Sequence, residues 1–71
     1  MYFKRIKDLR IDNDLSQKDL CTKLNVNQQQ YSKYETGERN FPIPWLIKLS
    51  NFYNVSTDYL LGLTNKKERL K

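Results

Sequence analysis

Three observations predict an all-α fold for this chain. Apolar residues recur at intervals of three and four from Phe3 to Leu61, the spacing that lines one face of a helix. The runs are separated by Asn13, Asn25, Gly37, Asn54 and Gly62, residue types that tolerate the left-handed backbone in which helices commonly end. Ser16, Asn27 and Ser56 stand just ahead of three of the runs, where N-caps stand. A chain of 71 residues has room for one domain, burying about 60 % of the surface that its unfolded form exposes. The prediction is five short helices over about 2–12, 16–24, 28–36, 43–53 and 57–61, in one domain over 1–65, followed by a basic tail over 66–71.

The first helix carries Phe3, Ile6 and Leu9 on one stripe, with Lys4, Arg5, Lys7 and Asp8 elsewhere around it. Ser16 and Asp19 form a capping-box pattern at the start of the second, whose Leu20 and Leu24 face inward. Asn25 turns the chain, Val26 plugs the turn, and Asn27 caps the third helix, which Gly37 stops. Proline is tolerated only in the first turn of a helix, so Pro42 and Pro44 fix the start of the fourth, which carries Leu46, Ile47, Leu49 and Tyr53. Ser56 caps a short fifth helix with Tyr59, Leu60 and Leu61, and Gly62 ends it.

Composition narrows the functions available. The chain has no histidine and a single cysteine, Cys21, so it holds neither a His-based catalytic triad nor a Cys/His zinc site. Its eight carboxylates, Asp8, Asp12 and Asp14 among them, form no paired acidic motif, so no catalytic site, metal or cofactor is expected. No apolar run approaches the roughly 20 residues that span a bilayer, and the opening Met-Tyr-Phe-Lys-Arg-Ile-Lys lacks the apolar stretch of a signal peptide. With no possible intrachain disulfide, the expected setting is the cytoplasm. The net charge of +5 favours an anionic partner.

Two helices joined by about three residues are the layout of a helix-turn-helix, whose second helix enters the DNA major groove. Three stretches also resemble a family: Leu15-Ser16-Gln17-Lys18-Asp19-Leu20-Cys21-Thr22-Lys23-Leu24-Asn25-Val26, Tyr34-Glu35-Thr36-Gly37-Glu38-Arg39-Asn40, and Asn54-Val55-Ser56-Thr57-Asp58-Tyr59-Leu60-Leu61-Gly62. They are similar to the Cro and phage-repressor type of regulator, the Xre family, over roughly residues 3 to 63. The resemblance implies a five-helix lambda-repressor-like DNA-binding domain and a small transcriptional repressor. An antitoxin-like or adaptor module on the same fold is the alternative.

With Tyr31 and Tyr34 turned to the core, a helical wheel presents Gln29 on the opposite face of the third helix, flanked by Gln28, Ser32 and Lys33. A glutamine amide donates and accepts at once, matching the N7 and N6 edge of adenine, so Gln28 and Gln29 are the leading base readers. Lys33 reaches a guanine edge or a phosphate, and the Ser32 hydroxyl discriminates weakly. A merely solvated polar face is the competing reading.

The resemblance implies that Gln17, first in the second helix, meets a DNA phosphate and abuts the third helix, a placement that the helix N-terminus favours. Arg39 and Asn40 resemble the family's backbone-contacting loop; Asn27 is also expected at a phosphate, and Lys18 and Lys23 add weaker attraction. The resemblance further pairs Arg10 with Glu35 as a buried structural salt bridge. Cys21 sits where the family usually has alanine and reads as a small buried hydrophobe.

One such domain reads a half-site, so the expected partner is a palindromic double-stranded operator bound by a weak homodimer. Trp45, Phe52, Tyr59, Leu61 and Leu63 are the apolar candidates for that interface. Residues 66–71 hold four basic groups and one acidic, more than half of the net +5, while the third helix is close to neutral. Specificity is therefore expected from uncharged glutamines with modest phosphate attraction around them.

Overall fold

The computed structural model describes residues 2–68. Those residues form five helices and no strand: α1 Lys4–Asp12, α2 Gln17–Leu24, α3 Gln28–Glu35, α4 Ile43–Tyr53 and α5 Thr57–Leu60. The expected spans hold to within two residues. α1 begins at Lys4 rather than 2 because Phe3 is extended, with φ −109° and ψ 90°. Ser16 lies outside α2 as its cap, while Thr36 and Leu61 lie outside α3 and α5 as C-caps.

The caps act as the sequence suggests. Ser16 Oγ accepts from the Asp19 N–H at 3.0 Å, Asn27 Oδ1 from the Gln30 N–H at 3.0 Å, and Ser56 Oγ from the Tyr59 N–H at 3.0 Å. α1 and α4 have no side-chain cap, and α4 starts behind Pro42. Every helix is followed by a left-handed residue: Asp14, Asn25, Gly37, Asn54 and Gly62. Asn13 is the C-cap of α1, where the sequence places the helix end, but stays outside the left-handed region, and its Nδ2 donates to the Leu9 carbonyl at 2.7 Å. At four of these ends the following residue is apolar and closes the last turn. The N–H groups of Leu15, Val26, Val55 and Leu63 donate to the carbonyls of Arg10, Cys21, Ser50 and Asp58.

The core draws on every helix. Ile6, Leu9, Leu20, Cys21, Tyr31, Leu49 and Leu60 are buried, joined by Phe41 and Val55 from the connections. Each large side chain taken fully from water contributes about 1.5–3 kcal/mol. Cys21 is the small buried hydrophobe expected, and burial pushes its thiol up, which keeps it protonated. Phe41 stands edge-on to Tyr31 and tilted against Tyr34, with ring centroids 5.9 and 5.4 Å away, and Trp45 stands edge-on to Tyr34 at 4.9 Å. This aromatic group seats α3 against the start of α4.

The segment after α5 folds back. Arg5 Nη1 donates to the Tyr59 and Thr64 carbonyls at 3.2 and 2.9 Å, its Nη2 to Asn65 Oδ1 at 3.2 Å, and the guanidinium lies 4.3 Å from the Tyr59 ring centroid. The Ser56 N–H donates to the Lys67 carbonyl at 3.0 Å, so part of the expected tail is hydrogen-bonded to the domain. Residues 69–71 of that tail lie outside the described residues.

Candidate nucleic-acid interface

α2 and α3 are joined by Asn25, Val26 and Asn27 alone. Asn25 takes φ 56° and ψ 50°, which turns the chain sharply, and half-buried Val26 fills the corner. α3 then has two unlike faces. Tyr31 and Glu35 are buried at 0 % and 3 % exposure, and Tyr34 is half-buried. Gln28, Gln29 and Lys33 are exposed on the other side, and Ser32 is half-exposed between them. All four expected base readers therefore reach solvent on one helix whose remaining face is fixed in the core.

Thr36 belongs with this face although it was not among the expected site residues. It is exposed, and its Oγ1 donates to the Lys33 carbonyl at 3.3 Å. A seven-residue step from Gln29 turns the wheel by about −20°, so the periodicity already contained it. Gln30 is exposed as well, toward one flank.

Arg39 and Asn40 are exposed in the loop after α3, and the Arg39 N–H donates to the Lys33 carbonyl at 3.1 Å, holding the loop to the helix end. That loop turns at Gly37, where φ is +83° and an added Cβ would stand 2.9 Å from the Cβ of Tyr2. Lys18 is exposed on α2. Asn27 is exposed too, but its Oδ1 is engaged as the cap of α3, which leaves its Nδ2 as the donor on that side chain.

Behind the exposed face lies a buried polar cluster. Arg10 Nε and Nη2 donate to Glu35 Oε2 and Oε1 at 2.9 and 2.8 Å, a bidentate pair with 12 % and 2 % of the two side chains exposed. Arg10 Nη1 donates to the Leu15 carbonyl at 2.7 Å, and Gln17 Nε2 donates to Glu35 Oε1 at 3.2 Å. The pair implied by resemblance is therefore present and ties α1 to α3. Burial alone would raise the Glu35 carboxyl, but Arg10, the nearby Tyr31 phenol and Gln17 outweigh it and hold it below its ordinary 4.5. The same partner raises the Arg10 guanidinium above its ordinary value despite its burial. The hydroxyls of Tyr31 and Tyr53 are buried in this neighbourhood and make no hydrogen bond of ordinary geometry. Burial pushes both phenols up, that of Tyr53 to about 12.

The surface outside this face carries apolar groups. Of those expected to lie at an interface, Phe52 and Leu63 are exposed, at 38 % and 74 %. Trp45, Tyr59 and Leu61 are half-buried, the first against Tyr34 and the second under Arg5. Ile43 and Ile47, four apart on α4, are exposed at 71 % and 50 %, which their helical spacing did not reveal. Among the described residues no group of three or more His, Cys, Asp or Glu converges as a metal site would, and no helix is long and apolar enough to cross a membrane.

Two short helices crossing at a left-handed asparagine, the second with an exposed polar face and a buried carboxylate clamp, define a helix-turn-helix domain of the lambda-repressor-like, all-α kind. The family profile described as helix-turn-helix matches residues 6–60, and the chain belongs to that family. The resemblance to regulators of the Cro and phage-repressor type is thereby borne out. The chain is 48 % identical over 59 residues to the HTH-type transcriptional regulator ImmR of Bacillus subtilis (strain 168), covering 83 % of this chain and 46 % of that protein. It is 33 % identical over 73 residues to the cryptic phage CTXphi transcriptional repressor RstR of Vibrio cholerae, covering 100 % of this chain and 66 % of RstR. An uncharacterized HTH-type regulator of B. subtilis (strain 168), YobD, is 35 % identical over 65 residues, or 92 % of this chain and 58 % of YobD. The chain thus spans between about half and two thirds of the length of these curated relatives.

Proposed function

We propose that the chain is a sequence-specific double-stranded DNA-binding module of a transcriptional repressor, with α3 in the major groove. The observation that carries this reading is the division of α3 into a locked face, Tyr31 and Glu35, and a free face that groups Gln28, Gln29, Ser32 and Lys33. An adaptor helix needs no adjacent glutamine amides facing solvent, whereas such amides suit a base-reading helix. Gln28 and Gln29 read adenine edges, Lys33 a guanine edge or a phosphate, and Ser32 adds weak preference. Around them Gln17, Asn27, Lys18, Arg39 and Asn40 hold the phosphates and set the register.

One domain covers one half-site. The full site in this reading is a palindrome with half-sites about one helical turn apart, bound by a weak homodimer. Of the apolar groups expected at its two-fold contact, Phe52 and Leu63 are exposed. The DNA-binding unit runs over residues 1–65, with the basic residues after it adding attraction that is blind to sequence. The setting of this function is the cytoplasm, and its chemistry is binding without catalysis or a cofactor.

Selection of bound DNA from a random pool, repeated with Gln28→Ala and with Gln29→Ala, tests the assignment. Each substitution is expected to relax preference at one position in each half-site, with a loss of about 1–3 kcal/mol for the preferred base. Unchanged preference in both variants would remove these residues as readers. An affinity indifferent to salt would instead favour the antitoxin-like or adaptor role.

A further inference from the structure

We infer that Glu35 is a positioning residue for Gln17: the buried carboxylate fixes the Gln17 amide so that one N–H is spent inside the protein and the other is presented to a DNA phosphate. This rests on the DNA-binding reading above and adds to it a residue with no DNA contact of its own.

The observation is that one oxygen serves two donors. Glu35 Oε1 accepts from Arg10 Nη2 at 2.8 Å and from Gln17 Nε2 at 3.2 Å. An ionised carboxylate only accepts, so the end of the Gln17 amide that turns toward it must be the NH2 and not the carbonyl. Glu35 is held ionised by the same neighbours, and Arg10 fixes its plane through the second oxygen at 2.9 Å. Glu35 is 3 % exposed and ends α3, whereas Gln17 is half-exposed and begins α2.

The chain of contacts from Arg10 through Glu35 to Gln17 thus carries the geometry of the core to a side chain at the surface. A surface glutamine without such an anchor turns its carbonyl outward as readily as its NH2, and a carbonyl repels phosphate. Anchoring one N–H removes that choice before DNA arrives, which lowers the cost of ordering the side chain on binding. The two helices of the motif are tied at the same point, so Gln17 is placed relative to the reading helix and not only to its own.

A double-mutant cycle separates this role from a general structural one. DNA affinity is measured on the selected sequence, well below each melting midpoint, for the wild type, Glu35→Gln, Gln17→Met and the double variant. Gln17→Met is expected to weaken binding about tenfold, the size of one charge-assisted hydrogen bond. Glu35→Gln is expected to weaken the wild type by a similar factor and the Gln17→Met protein far less. Equal losses in both backgrounds would overturn the positioning role. A measurement on the unaltered protein covers the case in which Glu35→Gln does not fold. Nitrogen relaxation should show the Gln17 side-chain amide restricted like the backbone while those of Gln28 and Gln29 turn freely, and a Gln17 amide as mobile as theirs would overturn the proposal. Additive losses in a protein that does select a DNA sequence sink the positioning role alone. A protein that selects no sequence sinks the DNA-binding reading and this inference with it.

Discussion

The two ends of α1 are each anchored by an arginine, and the anchors work by different physics. At the C-terminal end Arg10 meets a carboxylate in a nearly dry site, with 12 % and 2 % of the two side chains exposed. At the N-terminal end, among the described residues, Arg5 meets neutral acceptors, the carbonyls of Tyr59 and Thr64 and the amide of Asn65, together with the face of a tyrosine ring. The first arrangement fails badly if either partner is lost, because the survivor is a buried, uncompensated charge. The second loses hydrogen bonds that water can replace. The fold therefore keeps its rigid joint beside α3 and its softer one where the chain returns after α5.

The largest effect in this comparison belongs to Arg10→Ala. Stranding Glu35 is expected to cost about 3–5 kcal/mol, which for a domain of this size lowers the melting midpoint by more than about 12 °C. Lys4→Ala, on the exposed side of the same helix, should stay within about 0.5 kcal/mol. Equal effects of the two in thermal melts would mean that the pair is no more than a surface contact.

A smaller effect of defined sign comes from acid. The folded Glu35 carboxyl lies below its ordinary 4.5, so the unfolded chain binds a proton at higher pH than the folded one does. The stability contributed is fully present above the unfolded value and is lost as pH falls through the folded value. Denaturant midpoints measured downward from pH 5 should decline through that window in the wild type, and more gently in Arg10→Ala. Parallel acid limbs in the two proteins would detach Glu35 from the effect.

Arg5→Ala is expected to cost less than Arg10→Ala, about 1–2 kcal/mol, since it removes a cation over a ring and hydrogen bonds to partly exposed carbonyls. Its signature is local. The Ser56 amide, which donates to the Lys67 carbonyl, should exchange with solvent faster while the amides of α2 keep their protection. Uniform loss of protection across the domain would show that the two anchors are not distinct.

The sequence carried the helices well because their ends are chemically marked. Ser16, Asn27 and Ser56 each supply the cap that their residue type suggests, and asparagine or glycine turns four of the five ends. At the end of α1 the cap is Asn13, as read from the sequence, while the left-handed turn falls one residue further on, at Asp14. The exposed face of α3 was equally legible, because a helical wheel needs only the positions of Tyr31 and Tyr34, though Thr36 was overlooked on it. Contacts between distant residues were a different matter. Arg10 and Glu35 are 25 positions apart and were joined only by resemblance to a family, while Arg5, 54 positions from Tyr59, looked like one more solvated charge. Ile43 and Ile47 show the opposite failure, since a four-residue interval identifies a common face but not whether that face is covered.

The turn that ends α3 has a stereochemical consequence. Gly37 and Gly62 both lie at positive φ, at 83° and 77°, where a mirror-image amino acid is as comfortable as an L residue is strained. At Gly62 nothing stands within 4 Å of the L position, so only the backbone objects, whereas at Gly37 an L side chain also runs into Tyr2 at 2.9 Å. A D-alanine in a synthetic version of this chain would put its methyl on the opposite side from Tyr2. It would also thin the unfolded ensemble that glycine leaves so broad. At the loop after α3 an L side chain is thus opposed by chirality as much as by space, and a chemist rather than a mutagenesis primer would be needed to stiffen it.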